Sequence, residues 1–553
     1  MNGDAQNGSQ SFMSSSPPAP HVSRHQNILS ALEAQDVAKA VGLACAALAD
    51  GDERALYLNL RAYEHERAGR DDLALADLKR AHALDPGDMQ ALNALGLAYA
   101  RGGQFEKALS AFSQVAARLP EFAPAHFNKG WASEELGELD HARDSWKRAH
   151  ATDPANPEPL ARLALLAARL GENAEAQAWA AKALATMPDH PGARLAAARA
   201  DLQEDNLAAA GEVARALAYD PRTPPFERTE ALGVLGDVLD GQNRTAEAFA
   251  AWRARNAAVQ AQNAAQYARP AGETIQEYLH RSITYFERSV SWSPSRAVTD
   301  EPCVRHVFLV GFPRSGTTLL EEALAQHPDV VTTQERDGLA DGIGAFMGTN
   351  ADIDRLAHLG DAEHYRRLYW QRLRGHGLEP AGKTVIDKQP YNTVNLPLIA
   401  RLFPGAKIIF SLRDPRDVVL SCFRRRFRMN ASNYELLTPE GAAALYDAMM
   451  HLAELYRARL PLTLIDIRHE SLTTDFEAEI TRAADFIDLS NGGLLREFAP
   501  RQGARAIATP TAAQLAKGLR KDTGGHWRRY SQELASVLPR LQPWVSRFGY
   551  SDI

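Results

Sequence analysis

The 553-residue chain is longer than one hydrophobic core usually organises, so two folded regions are the expected minimum. A formal charge of −7 argues against broad nucleic-acid binding, and the chain holds no apolar run of about 18 residues that would cross a membrane. Its three cysteines, Cys45, Cys303 and Cys422, are scattered and odd in number, which fits a reducing cytoplasm better than a disulfide scaffold.

Residues 1–24 are rich in Ser, Asn, Gly and Pro, predicting a disordered tail without the apolar centre of a signal peptide. Beyond it, Pro86, Pro120, Pro154 and Pro188 recur every 34 residues, and Ala74, Ala108, Ala142 and Ala176 each stand twelve positions before one of them. This is the tetratricopeptide (TPR) period. Leu95, Gly96, Tyr99, Ala108, Phe112 and Pro120 form the fullest match, and Pro221 continues the series one residue short. An α-helical TPR solenoid is therefore expected over residues 25–260, with a concave face suited to a polypeptide or protein complex; a rigid spacer or dimerisation surface is the alternative use. Residues 261–303, Gln- and Ala-rich and then Ser291-Trp-Ser-Pro-Ser295, read as a linker carrying some helix.

The stretch His306 to Pro328 reads as strand, phosphate loop and helix. A strand over 306–310 ends at Gly311; the loop Pro313-Arg314-Ser315-Gly316-Thr317-Thr318 then opens a helix whose amides and positive dipole end face an anion. Gly311 and Gly316 have the Walker spacing, but Thr317 stands where the phosphate-gripping lysine should be, which argues against an ordinary nucleotide triphosphatase. A strand over 330–333 precedes Glu335, and another over 384–387 delivers Lys388. The strand 407–412 delivers Arg413, with Ser421 eight residues later on a helix, a charged fork plus a hydroxyl for one phosphate. Arg425, one turn on, could add a third contact, whereas Arg424, Arg426 and Arg428 read as a solvated or protein-binding basic face. A strand over 462–467 leads to His469, read as structural, and Arg520 and Lys521 lie in a basic, glycine-containing loop. Five such strands predict an α/β three-layer domain over 304–553 with a mostly parallel sheet and a ligand across the carboxyl ends.

Together these motifs resemble sulfotransferases that use 3′-phosphoadenosine 5′-phosphosulfate (PAPS) and share a P-loop-like fold. Pro313 to Thr318 resembles their 5′-phosphosulfate loop, and Arg413 with Ser421 their 3′-phosphate site. Lys388-Gln-Pro390, Glu335 after His327-Pro328, and the ending Leu541 to Tyr550 narrow the resemblance to protein-tyrosine sulfotransferases. It implies PAPS as co-substrate and no metal; Arg314 and Lys388 would neutralise the leaving phosphate oxygen, Glu335 would take the acceptor's proton, and Arg520 and Lys521 would fold over the adenosine phosphate. Asp522 and His526 depart from the family's basic loop, and the lack of an apolar span departs from its membrane-anchored animal members. The implied acceptor is protein tyrosine presented with help of the TPR array. A carbohydrate, lipid or small-phenol sulfotransferase would share the cofactor residues, and a non-catalytic TPR scaffold could retain them.

Overall fold

The 34-residue period becomes helix pairs because small residues fall where two helices meet. Residues 20–268, 272–288, 292, 301–348, 353–360, 362–489 and 524–551 are described by the computed structural model. They divide into two compact units, within residues 1–160 and 161–553. In the first, Ala55–Arg67 pairs with Asp71–Leu84, Met89–Arg101 with Phe105–Arg118, and Ala123–Glu135 with Leu139–Thr152. The repeat alanines Ala74, Ala108 and Ala142 are wholly buried. A Cβ on Gly96 would lie 2.6 Å from the Phe112 ring, and one on Gly130 would lie 2.5 Å from Trp146, so glycine permits the close approach. Most of the predicted tail, part of the 261–303 segment, and Arg520 and Lys521 lie outside the described residues.

The second unit takes in further repeat helices, among them Pro225–Gly241 and Thr245–Tyr267, together with the sheet. The capped helix Ile275–Glu287 follows. The strands are β1 (Arg305–Gly311), β2 (Val330–Thr332), β3 (Thr384–Lys388), β4 (Lys407–Leu412) and β5 (Thr463–Arg468), close to the five expected from sequence. Their order is β2-β3-β1-β4-β5 and every pairing is parallel. Side chains alternate between two cores. Val307, Leu309, Ile386 and Ile409 pack with residues of the helices Thr317–Leu324 and Phe476–Phe486, whereas Phe308, Val310, Ile408 and Phe410 turn to the opposite core. Helices thus cover both faces, the three-layer arrangement that buries a parallel sheet.

That opposite core does not stop at the domain limit drawn from sequence. It runs continuously from Leu195 through Phe249 and Trp252 to Phe308, Phe423 and Tyr530, so the later repeat helices and the sheet share one apolar interior. Between β3 and β4 the chain crosses from one side of β1 to the other, making the carboxyl end of β1 the topological switch point where doubly wound sheets hold ligands.

Candidate functional site

The loop from Pro313 to Thr318 sits at that switch point and is fixed by side chains from neighbouring elements. Thr393 donates to Gly311 O at 2.7 Å, Ser411 donates to Ser315 O at 2.7 Å, and the Cys422 thiol meets Pro313 O at 3.4 Å. Gly316 caps the helix Thr317–Leu324 with φ 97°, and Arg314 adopts φ 72°, a conformation non-glycine residues rarely hold outside constrained sites. Ser315, Thr317 and Thr318 are buried at the helix start.

Arg314, Arg413 and Ser421, which come from three separate segments, meet here. Arg314 Nε donates to Ser421 Oγ at 3.0 Å and Arg413 Nη1 donates to Arg314 O at 3.2 Å. Arg413 Nε is buried without a hydrogen-bond partner, an uncompensated donor that fits an anionic ligand. Burial, then repulsion from Arg425 and Arg413, pulls the Arg314 guanidinium down to about 9. Nearby carboxylates are committed elsewhere: Asp414 pairs with Arg416 at 2.8 Å, and Glu470 accepts from the Asp414 amide and the Tyr550 hydroxyl.

His469, read as structural from sequence, packs against this loop. A Cβ on Gly316 would approach its Nδ1 to 2.6 Å, and that nitrogen is buried without a partner. Burial, then Arg413 and Arg314, lowers the imidazole to about 3. Its place at the end of β5, beside the ends that deliver Arg314 and Arg413, was the available signal.

Arg424 and Arg426, expected on a solvated or protein-binding basic face, and Arg425, expected as a third phosphate contact, are all ion-paired to a repeat helix. Arg424 pairs with Asp240 at 2.7 Å and lies over the Trp252 ring at 4.6 Å, Arg425 pairs with Asp237 at 2.9 Å, and Arg426 pairs with Glu230. Glu230, Asp237 and Asp240 share one face of the repeat helix Pro225–Gly241, so helical spacing presents three carboxylates to three consecutive arginines. From the next repeat helix, Arg255 donates to Phe423 O at 2.7 Å and to Arg424 O at 2.9 Å. A cation thereby satisfies carbonyls at the C-terminal end of Pro415–Arg424, the helix that carries Ser421.

At the other end of the loop, Lys388 is fully buried between two carboxylates. Its Nζ lies 2.6 Å from Glu335 Oε1 and 3.1 Å from Glu321 Oε2. Burial alone would lower the ammonium, but Glu321 and then Glu335 hold it above its ordinary value. Burial raises Glu321, against the pull of Lys388. Glu335, whose side chain is 39% exposed, follows Gln334 in a pair of positive-φ residues, a strained turn fixed by its own N–H to Lys388 O at 3.1 Å. Glu321 was missed from sequence, where it is one of two consecutive glutamates in an amphipathic helix.

Behind Lys388, Thr333 Oγ1 accepts the Lys388 N–H at 3.1 Å and donates to Asp387 at 3.2 Å. Tyr369 donates to Asp387 at 2.8 Å and lies 2.8 Å from His306 Nε2. Among the described residues no cluster of three His, Cys, Asp or Glu side chains is arranged to hold a metal, and no helix is long and apolar enough to cross a membrane.

Residues 306–491 match the sulfotransferase family. A putative protein-tyrosine sulfotransferase of Caenorhabditis briggsae is 25% identical over 252 residues, 44% of this chain and 88% of that protein. Protein-tyrosine sulfotransferase 1 of Mus musculus is 30% identical over 128 residues, 22% of this chain and 34% of that protein. An uncharacterised protein of Aquifex aeolicus is 24% identical over 273 residues, 46% of this chain, and the match spans only 34% of that relative's length.

Proposed function

The chain carries a sulfotransferase-family domain behind TPR helices, and from that premise we propose that it transfers a sulfuryl group from PAPS to an acceptor hydroxyl, with protein tyrosine as acceptor. The carrying observation is the joining of Arg314, Arg413 and Ser421 at one end of the loop with Lys388 and Glu335 at the other. Arg413, with its uncompensated Nε, and Ser421 would hold the 3′-phosphate; the amides of Gly316 to Thr318 would hold the 5′-phosphosulfate. When bound, PAPS supplies the sulfuryl group, whose bond to the bridging phosphate oxygen breaks as the acceptor oxygen bonds to sulfur.

The chain's own part is alignment and charge. Arg314 and Lys388 face the oxygen that gains charge, and Glu335, the exposed member of its ion pair, takes the acceptor's proton. A free tyrosine near 10 and a free glutamate near 4.3 differ by about six units, so proton removal accompanies sulfuryl transfer rather than preceding it. The distant tyrosine-specific relatives support the acceptor, the repeat helices support presentation of a polypeptide, and unpaired Cys45, Cys303 and Cys422 support a reducing cytoplasm.

The test is incubation with sulfur-labelled PAPS and desalted lysate, followed by separation of protein, glycan and lipid. Label released from protein as sulfotyrosine is the expected result. Label in glycan or lipid would replace the acceptor, and absence of transfer to every fraction would overturn the activity.

A further inference from the structure

Lys388 has two carboxylates, although the proposed reaction calls on only one of them. The two differ sharply in setting. Glu321 is 2% exposed and belongs to the helix Thr317–Leu324, whereas Glu335 is 39% exposed and belongs to the loop after β2. Glu321 uses both oxygens inward: Oε2 meets Lys388 Nζ at 3.1 Å and Oε1 accepts the Gln334 N–H at 3.2 Å. It therefore ties the lysine and the strained turn before Glu335 to the helix that begins at the phosphate loop.

We infer that Glu321 is the resident counter-ion of Lys388, a positioning residue that keeps the ammonium in place while Glu335 leaves the pair to take the acceptor's proton. The inference rests on the sulfotransferase reading. As drawn, the three groups carry one excess negative charge. When the acceptor's proton reaches Glu335 the set becomes neutral, and Lys388 keeps a full counter-charge in Glu321 throughout. The remaining acid on the lysine's own strand, Asp387, is engaged by Tyr369 and Thr333, so the carboxylates that meet the ammonium are Glu321 and Glu335. A buried ammonium without Glu321 would depend on Glu335 alone, and the residue that must move would become the one that must stay.

Two measurements test this. The first is an unfolding cycle of wild type, Glu321→Gln, Lys388→Met and the double variant, made without nucleotide, so it stands even if the domain transfers nothing. Glu321→Gln is expected to lower the melting temperature, and Lys388→Met in that background to restore at least half the loss; additive effects would overturn the pairing. Should Glu321→Gln fail to fold, the double variant must fold, and failure of both overturns the proposal. The second is the alkaline limb of kcat at saturating PAPS, whose negative charge keeps Arg314 protonated so that the limb reports Lys388. In Glu321→Gln it is expected at least about one pH unit lower, because the larger upward influence on Lys388 is gone. Glu321→Asp should keep the wild-type limb, and affinity for 3′-phosphoadenosine 5′-phosphate at pH 7 should change less than about threefold. A folded Glu321→Gln with an unmoved limb overturns the positioning role.

Discussion

The two ends of the phosphate loop hold opposite charge balances. At the arginine end, burial and then the nearness of Arg425 and Arg413 depress Arg314, while Asp414 and Glu470 are held by other partners. At the lysine end, one ammonium meets two carboxylates. The first arrangement gathers cations around the buried, unpartnered Arg413 Nε, and the second holds one ammonium between two carboxylates. In the proposed reaction the first end supplies cations to the cofactor and the second also supplies the proton acceptor.

The largest effects should therefore come from the lysine end and appear in turnover. Glu335→Gln is expected to lower kcat by about 100- to 10,000-fold, the range for loss of a general base, with nucleotide affinity nearly unchanged because the side chain is partly exposed and pairs with Lys388 rather than with the arginines. Near-normal turnover in this variant would remove the reacting role from that end. Lys388→Met should cost about 100- to 1,000-fold in kcat as a lost charge stabiliser. Steady-state kinetics over a range of acceptor concentrations separates both from a loss of binding.

Arg413→Ala sharpens the other half of the comparison. Losing hydrogen bonds from a charged donor, worth about 1.5–3 kcal/mol, should weaken 3′-phosphoadenosine 5′-phosphate binding by roughly 10- to 150-fold in calorimetry. The ligand-free protein should melt no lower than wild type, since the substitution relieves repulsion on Arg314. A large fall in melting temperature would mean that Arg413 is structural and that the arginine end needs no anion.

Much of this was legible in the sequence, and the exceptions share a cause. Each of the five strands is a short, largely apolar run, so periodicity and punctuation placed Arg314, Lys388 and Arg413 at or just beyond strand ends. Pairings across long sequence separations were not legible. Glu230, Asp237 and Asp240 look like ordinary polar residues of a repeat helix until the fold brings Arg424 to Arg426 against them. Glu321 likewise looks like a surface glutamate until β3 places Lys388 beside it. The shared core from Leu195 to Phe548 hid the join for a related reason, because repeat periodicity names helices but not what their outer faces cover.

The buried network behind Lys388 gives a prediction about the sign of a pH dependence. Burial pushes Asp387 up to about 7, and burial pushes His306 down to about 3. Between pH 4 and 7 the folded protein keeps an Asp387 proton that the unfolded chain has released, so this contribution is full below about 4 and is lost as pH rises through 7. His306 acts oppositely: the unfolded chain protonates near 6.5 and the folded one does not, so stability is lost as pH falls from 6.5 toward 3. In the wild type the two slopes offset each other below pH 6.5. Asp387→Asn removes one of them, up to roughly 4 kcal/mol in the buried limit. Its melting temperature should then rise with pH from 4 to 6.5 and level off, while the wild type stays flatter and declines toward 7. Parallel curves would mean that Asp387 is ionised throughout, and the lysine end would then carry a second buried negative charge behind the pair that reacts.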